Sequence, residues 1–156
     1  MALAVGQPAP DFTLQDQERN PITLSALRGK PVVLAFYPGA FTGGCTREVC
    51  SLRDNMEQFN GVDAQVLGIS VDIPMVQKAF SEANNLNFPL LSDYRRETAT
   101  EYDVVLLNMS GLEGYNTARR SVFVVDKAGI IRYVWVAAGD PIPPYEELKL
   151  ALKHVE

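Results

Sequence analysis

The sequence predicts an α/β fold with a mixed central sheet, and three observations carry that reading. Apolar runs of strand length at 31–36, 64–71 and 121–125 alternate with stretches whose apolar residues recur at helical spacing. The resulting order, β-β-β-α-β-α-β-α-β-β-α, layers helices on one sheet. Polar turns inside the apparent strand pairs at either end add antiparallel hairpins, so the sheet is not purely parallel. With 156 residues, 47% of them hydrophobic, one domain over 1–156 can bury a substantial core.

The elements follow in order. Residues 1–10 form a Pro-containing lead-in. Asp11–Leu14 and Ile22–Leu24 are short β-type runs around the polar turn Gln15–Pro21, an N-terminal hairpin. Ser25–Arg28 followed by Gly29 is a helical turn with a Gly stop. Pro31–Phe36 is a buried strand, and a helix runs from Thr42 or Gly43 to about Asn60, closed by Asn60-Gly61. Ala64–Val71 is a second buried strand. Pro74–Asn84 is a helix with Asp72 as its expected N-cap. Phe88–Leu91 is a short strand and Arg95–Tyr102 a weak helix. Ser121–Val125 and Ile130–Val136 flank Asp126-Lys127-Ala128-Gly129, a hairpin turn. Pro144–Val155 closes the chain as a helix. There is no repeat, linker or low-complexity tract.

Composition narrows the function. A net charge of −5 argues against a nucleic-acid partner, which needs a basic face, and the arginine pairs at 95–96 and 119–120 are too short to make one. No apolar run approaches the roughly 20 residues that span a bilayer. The N-terminus lacks the basic and apolar regions of a signal peptide. A cytoplasmic, reducing location is the expectation, and there a cysteine pair is more often redox-active than structural. Two cysteines and one histidine, His154, cannot supply the four ligands of structural zinc. Neither a G-x-x-x-x-G-K-[ST] nor a G-x-G-x-x-G motif is present, so no nucleotide cofactor is implied. His154 reads as a solvated helix residue and Trp135 as core or interface.

Both cysteines lie between Tyr37 and Asp54, the stretch that carries the chemistry. From Cys45 the apolar residues fall at Val49, Leu52, Met56 and Phe59, one face of a helix. Cys45 therefore sits at a helix start directly after a strand, where unpaired N–H groups and the positive end of the dipole favour an anion. A thiol there is expected to ionise at or below neutral pH, in the roughly 3.5–7.5 range of activated cysteines. A buried structural cysteine is the competing reading. Gly43 and Gly44 let the backbone approach closely and aim amides at an anion, or simply make a turn. Thr42 carries a hydroxyl that donates or accepts, and is also the natural N-cap. Pro38 ends the strand. Glu48 lies one turn after Cys45, either orienting an arginine or exposed on the helix. Arg120 precedes the strand 121–125, and a guanidinium beside a thiolate lowers its pKa. Arg119 is its neighbour, and strand alternation lets only one of the two reach the site.

Pro38-x-x-x-Thr42-x-x-Cys45 resembles the signature of the peroxiredoxins. Ala9-Pro-Asp-Phe12 and Arg120-Ser-Val-Phe-Val-Val-Asp126 resemble that family too, so the likeness covers nearly the whole chain. The Cys45–Cys50 spacing is similar to the bacterioferritin-comigratory (PrxQ-type) group, and the Ala40-Phe-Thr-Gly43 run to the one-cysteine AhpE-like group. The resemblance implies a thioredoxin-like fold with peroxiredoxin extensions: a mixed central sheet, helices on both faces and an N-terminal hairpin. It implies a thiol-dependent peroxidase for hydrogen peroxide and organic hydroperoxides, with Cys45 becoming a sulfenic acid. By the same likeness Thr42, Pro38, Glu48 and Arg120 belong to the catalytic site, and Phe41, Gly43 and Gly44 line the substrate. No cofactor is implied. Cys50 would resolve Cys45 as an intramolecular disulfide, reduced in turn by a thioredoxin- or glutaredoxin-type partner, in a monomer or homodimer. In the AhpE-like alternative Cys50 is a bystander. A non-catalytic peroxide sensor using the same cysteine is the reading from another class.

One geometric constraint accompanies the resolving step. Five residues of helix turn the chain by about 500°, leaving Cys45 and Cys50 about 140° apart with Cα atoms roughly 8.6 Å apart. A disulfide needs about 7 Å or less. The bond requires the first turns of the helix to unwind.

Overall fold

The structure is a computed structural model, and it describes residues 3–55, 64–138 and 142–155. Seven strands form the main sheet in the order β2-β1-β5-β4-β3-β8-β9. β3 (Val32–Phe36), β4 (Gln65–Ser70) and β5 (Leu90–Ser92) are mutually parallel, which their crossover helices require. β1 (Thr13–Asp16) runs antiparallel to β5 and pairs with β2 (Pro21–Thr23), with Leu14 opposite Ile22. At the other side β8 (Ser121–Val125) lies antiparallel to β3, and β9 (Ile131–Val136) to β8. The sheet is mixed, as the hairpin signals require.

All five residues of β3 are buried, and alternation sends them to two cores. Val32, Leu34 and Phe36 join Leu67, Ile69, Tyr102 and Phe123 on one face. Val33 and Ala35 join Val66, Val122 and Val124 on the other. Three helices cover this second face: α1 (Gly43–Asp54) through Val49 and Leu52, α2 (Pro74–Asn84) through Phe80, and α4 (Tyr145–Lys153) through Leu148 and Leu152. α3 (Glu97–Glu101) and the N-terminal segment, through Ala99, Phe12 and Leu24, cover the first. Helices on both faces and an N-terminal hairpin match the expected class. Each aliphatic side chain buried this way contributes about 1.5–3 kcal/mol.

Differences from the expected elements have local causes. The hairpin strands lie at 13–16 and 21–23 rather than 11–14 and 22–24, because Asp11 leaves the ladder to accept from the amide and hydroxyl of Ser25. The strand expected at 88–91 begins at Leu90. α3 is shorter than 95–102; Arg96 holds its N-cap position without a side-chain capping bond, and the two oxygens of Asp93 accept from the Thr98 and Ala99 amides at 3.1 and 2.8 Å. Asp72 is not the N-cap of α2: Ile73 holds that position, with Pro74 at the first helical residue. The stretch 103–120 contains a small second sheet, β6 (Val105–Leu106) with β7 (Thr117–Ala118), and a 3-10 turn at Met109–Gly111. α1 is described to Asp54, and the expected continuation through Met56, Phe59 and Asn60-Gly61 lies outside the described residues. Among the described residues no helix is long and apolar enough to cross a membrane.

Candidate active site

The loop from Tyr37 to Thr42 leaves the C-terminal end of β3 and turns into α1. Parallel sheets place ligand sites at this edge, where the strands open toward helix N-termini. Tyr37 extends the parallel pairing by one bond, its amide donating to the Ile69 carbonyl at 3.0 Å. Pro38 is buried and ends the strand. The Ala40 amide donates to Asp72 Oδ2 at 2.8 Å, and Ser70 Oγ donates to the same oxygen at 2.8 Å. Asp72, expected as a helix cap, instead ties this loop to the end of β4. Phe41 takes a left-handed conformation (φ 65°) and stands 57% exposed with its ring edge-on to Phe80.

Cys45 is the third residue of α1 and is fully buried. Three donors converge on its sulfur. The Gly39 amide lies 3.4 Å away and the Arg120 guanidinium 3.6 Å. The Thr42 hydroxyl is the third, pulling the thiol's pKa down from beside the sulfur while it donates to the Gly39 carbonyl at 2.9 Å. Thr42 occupies the N-cap position, yet its side chain makes no capping bond; its hydroxyl faces the cysteine.

Arg120 reaches the site and Arg119 does not. The Arg120 side chain is 17% exposed, and its Nη1 lies 3.4 Å from Glu48 Oε1 as well as beside the sulfur. Arg119 is exposed, held through its backbone amide to the Val104 carbonyl. Glu48 is fully buried, not a surface helix residue. Gly44 explains how the guanidinium fits: a Cβ there would stand 2.9 and 3.2 Å from the two Arg120 terminal nitrogens. Gly43, by contrast, has open space where its Cβ would be. Gly39 also has a tight neighbour, since a Cβ at that position would stand 3.1 Å from Met109 Cε.

The electrostatics are those of an enclosed ion cluster. Burial pushes the Cys45 thiol up and outweighs the donors Thr42, Gly39 and Arg120, which pull it down; Glu48 adds to the upward push. This burial works against the expectation of an acidic thiol drawn from the helix start and Arg120, because an enclosed sulfur loses hydration that the donors around it have to replace. Burial also pushes Glu48 well above the usual carboxylate range, against the pull of Arg120. Among the described residues its buried Oε2 has no hydrogen-bond partner.

Cys50 is half-buried on another side of α1, its Sγ 3.4 Å from Asn84 Oδ1, and both cysteines are free thiols. His154 is exposed, as expected, and Trp135 is half-buried against the second core. Sequence reasoning missed Asp72, Met109 and Asn84 as neighbours of the cysteine loop and helix. Only Asp72 had a legible signal, a carboxylate at the C-terminal end of a parallel strand.

The family model for the AhpC/TSA family matches residues 5–134. The chain is 40% identical over 130 residues to chloroplastic peroxiredoxin Q of Populus jackii, covering 83% of this chain and 59% of that relative. It is 42% identical over 132 residues to alkyl hydroperoxide reductase E of Mycobacterium bovis, covering 84% of each. Among solved structures it resembles peroxidoxin BcpB of Mycobacterium tuberculosis, with a TM-score of 0.88 at 33% identity over 99% of both chains. A likeness that begins before the N-terminal hairpin and runs into the last strand, rather than resting on the cysteine loop alone, makes this chain a member of the AhpC/TSA family.

Proposed function

We propose that the chain is a thiol-dependent peroxidase that reduces hydrogen peroxide and organic hydroperoxides through Cys45. The observation that carries this reading is the convergence of the Gly39 amide, the Thr42 hydroxyl and the Arg120 guanidinium on one sulfur at a helix N-terminus. The Cys45 thiolate attacks the terminal peroxide oxygen; the O–O bond breaks, Cys45 becomes a sulfenic acid, and the leaving oxygen takes a proton to become water or an alcohol. The same donors that stabilise the thiolate face the charge that develops on the peroxide oxygens, so they act most strongly in the transition state. Glu48 holds the guanidinium from below and acts as a positioning residue. Phe41, exposed at the loop, and Gly43 and Gly44 at the helix start line the approach.

Cys50 then resolves the sulfenic acid as an intramolecular disulfide, and a thioredoxin- or glutaredoxin-type dithiol reduces it. Supporting this is the presence of both thiols on one short helix whose first turn contains two glycines, weak helix formers that lower the cost of unwinding. A one-cysteine cycle is the second reading; the observation favouring it is that Cys50 is engaged with Asn84 and not with Cys45. The chain acts as one domain, as a monomer or homodimer.

Steady-state peroxide consumption with thioredoxin and glutaredoxin systems side by side tests the proposal. Wild type turns over with at least one, and Cys45→Ser abolishes consumption while keeping the fold. Stoichiometric oxidation without turnover would mark a sensor, and turnover by Cys45→Ser would remove Cys45 from the chemistry.

A further inference from the structure

The outer side of α1 is fastened to the end of α2 through Asn84. Asn84 Oδ1 accepts from Cys50 Sγ at 3.4 Å. The backbone carbonyl of the same residue accepts from Arg53 Nη1 at 2.5 Å. Asn84 Nδ2 donates to the Phe80 carbonyl at 3.0 Å, one turn back in α2, which orients the amide with its oxygen toward α1. Asn84 is the last residue of α2, and Asn85 turns the chain into the left-handed region (φ 50°). A carbonyl at a helix C-terminus has no intrahelical donor, so it is available to the guanidinium. Two residues three apart on α1, one of them a thiol, are thus held by one residue of α2.

We propose that Asn84 is a latch on the resolving step: it holds Cys50 turned away from Cys45, and the strength of that hold sets how long the sulfenic acid waits for its partner. The latch rests on the reading of Cys50 as the resolving thiol. In an intact helix the two cysteines are about 140° apart, so Cys50 has to leave its position before the bond can form. Leaving breaks the thiol's bond to Asn84 and strains or breaks that of Arg53 to the carbonyl. Once released, the Cys50 thiol loses its proton to water, and its thiolate attacks the sulfur of the Cys45 sulfenic acid. The S–S bond forms, the S–O bond breaks, and hydroxide leaves and takes up a proton as water. No further oxidant or reductant is needed. While the latch is closed, a second peroxide can oxidise the waiting sulfenic acid to the sulfinic form. The latch therefore partitions Cys45 between recycling and inactivation.

The experiment is a single turnover of the reduced full chain with one equivalent of hydrogen peroxide, quenched by alkylation at intervals and read by peptide mass mapping. Wild type shows sulfenic acid at Cys45 converting to a Cys45–Cys50 disulfide. In Asn84→Ala the sulfenic acid forms at the wild-type rate and the disulfide roughly three to ten times faster, the span one net hydrogen bond supports. At excess peroxide the same variant accumulates less sulfinic acid, by a similar factor. Arg53→Met, which keeps much of the stem and removes the donors to the Asn84 carbonyl, shifts both readouts the same way at neutral pH, where the Cys50 thiol still carries the proton it donates to Asn84. Equal or slower disulfide formation in both variants, with the first step intact, overturns the latch while leaving Cys50 as the resolving thiol. Absence of any Cys45–Cys50 disulfide in wild type overturns the resolving reading and the latch with it. If Asn84→Ala loses the first step, its fold is damaged, and Arg53→Met decides alone.

Discussion

At the scale of the residue, the site is a competition over one buried sulfur. Arg120 touches both Cys45 and Glu48, so it joins one cation to two groups that burial pushes toward neutrality. Arg120→Ala is expected to raise the Cys45 pKa further, read by the pH dependence of iodoacetamide alkylation. Arg120→Lys is expected not to rescue activity: Nη1 alone contacts the sulfur and Glu48, which leaves the other guanidinium nitrogens for the peroxide oxygens, and an ammonium has no second nitrogen to offer. Loss of one such donor costs on the order of 10²–10³ in rate. Thr42→Val keeps the shape and removes the hydroxyl, and kcat/KM is expected to fall comparably. Arg119→Ala is expected to stay near wild type; if it were the damaging change and Arg120→Ala the mild one, the assignment of the strand's arginines would be reversed. The meeting of Cys45, Thr42 and Arg120 was legible, the first two from their place at the helix start and Arg120 over Arg119 from the family resemblance. The acidity of the thiol was not, because the cost of enclosing the sulfur depends on how Tyr37, Val49 and Leu52 pack in the core around it.

At the scale of the element, the cysteine loop is anchored from outside its own sequence. Asp72 accepts from the Ala40 amide and the Ser70 hydroxyl, and Gln77 donates to Ser70 Oγ at 3.0 Å and to the Leu91 carbonyl at 2.7 Å. β4, α2 and β5 thus hold the loop that shapes the site. Asp72→Ala leaves a part-buried amide and hydroxyl without their acceptor, a cost of about 1–3 kcal/mol. Its expected signature is faster hydrogen exchange at the Ala40 amide and a slower sulfenic-acid step, with Cys50 chemistry unchanged. Exchange should also report on α1, with residues 43–52 losing protection only after oxidation. Unchanged protection in the oxidised form would mean that the helix does not unwind. The long apolar strands and amphipathic helices were readable from periodicity. The β6–β7 ribbon and the 3-10 turn at Met109 were not, since two-residue strands carry no period and their pairing is decided by tertiary contact.

At the scale of the whole molecule, the carboxylates divide into two sets with opposite pH signatures. Asp126 accepts from the Ala128 and Ile130 amides and from Arg132, and Asp11 from Ser25 and Phe12, so both are held below the usual value despite some loss of hydration. Their stabilisation is present above the unfolded value, about 3.9, and is lost as the pH falls through the depressed folded values. Asp93 and Glu48 are pushed up by burial. Their contribution is fully present below the unfolded values and is lost as the pH rises through the raised ones. Urea midpoints are therefore expected to peak in mild acid and decline on both sides. Asp126→Asn should soften the acid limb and Glu48→Gln the upper one. Midpoints flat from about pH 3 to pH 8 would contradict both assignments. The order of strands and helices, and hence the architecture, was legible because burial of β3 and β4 on two faces leaves almost no alternative to a covered parallel centre.

The two adjacent glycines at the start of α1 bear on how far this protein can be made more durable. Replacing a glycine by alanine in the middle of a helix ordinarily adds about 0.5–1 kcal/mol, and the gain is smaller in the first turn, where these two stand. Gly43 has the room to accept the change, whereas at Gly44 the new methyl would meet the arginine head group and push it off the sulfur. Gly44→Ala would blunt the peroxide reaction and also draw the guanidinium away from buried Glu48, so it would lose durability rather than gain it. Gly43→Ala would keep that reaction, yet under the proposed resolving step it would stiffen the turn that opens for recycling, so any gain in heat tolerance would be returned as a shorter working life under oxidative load.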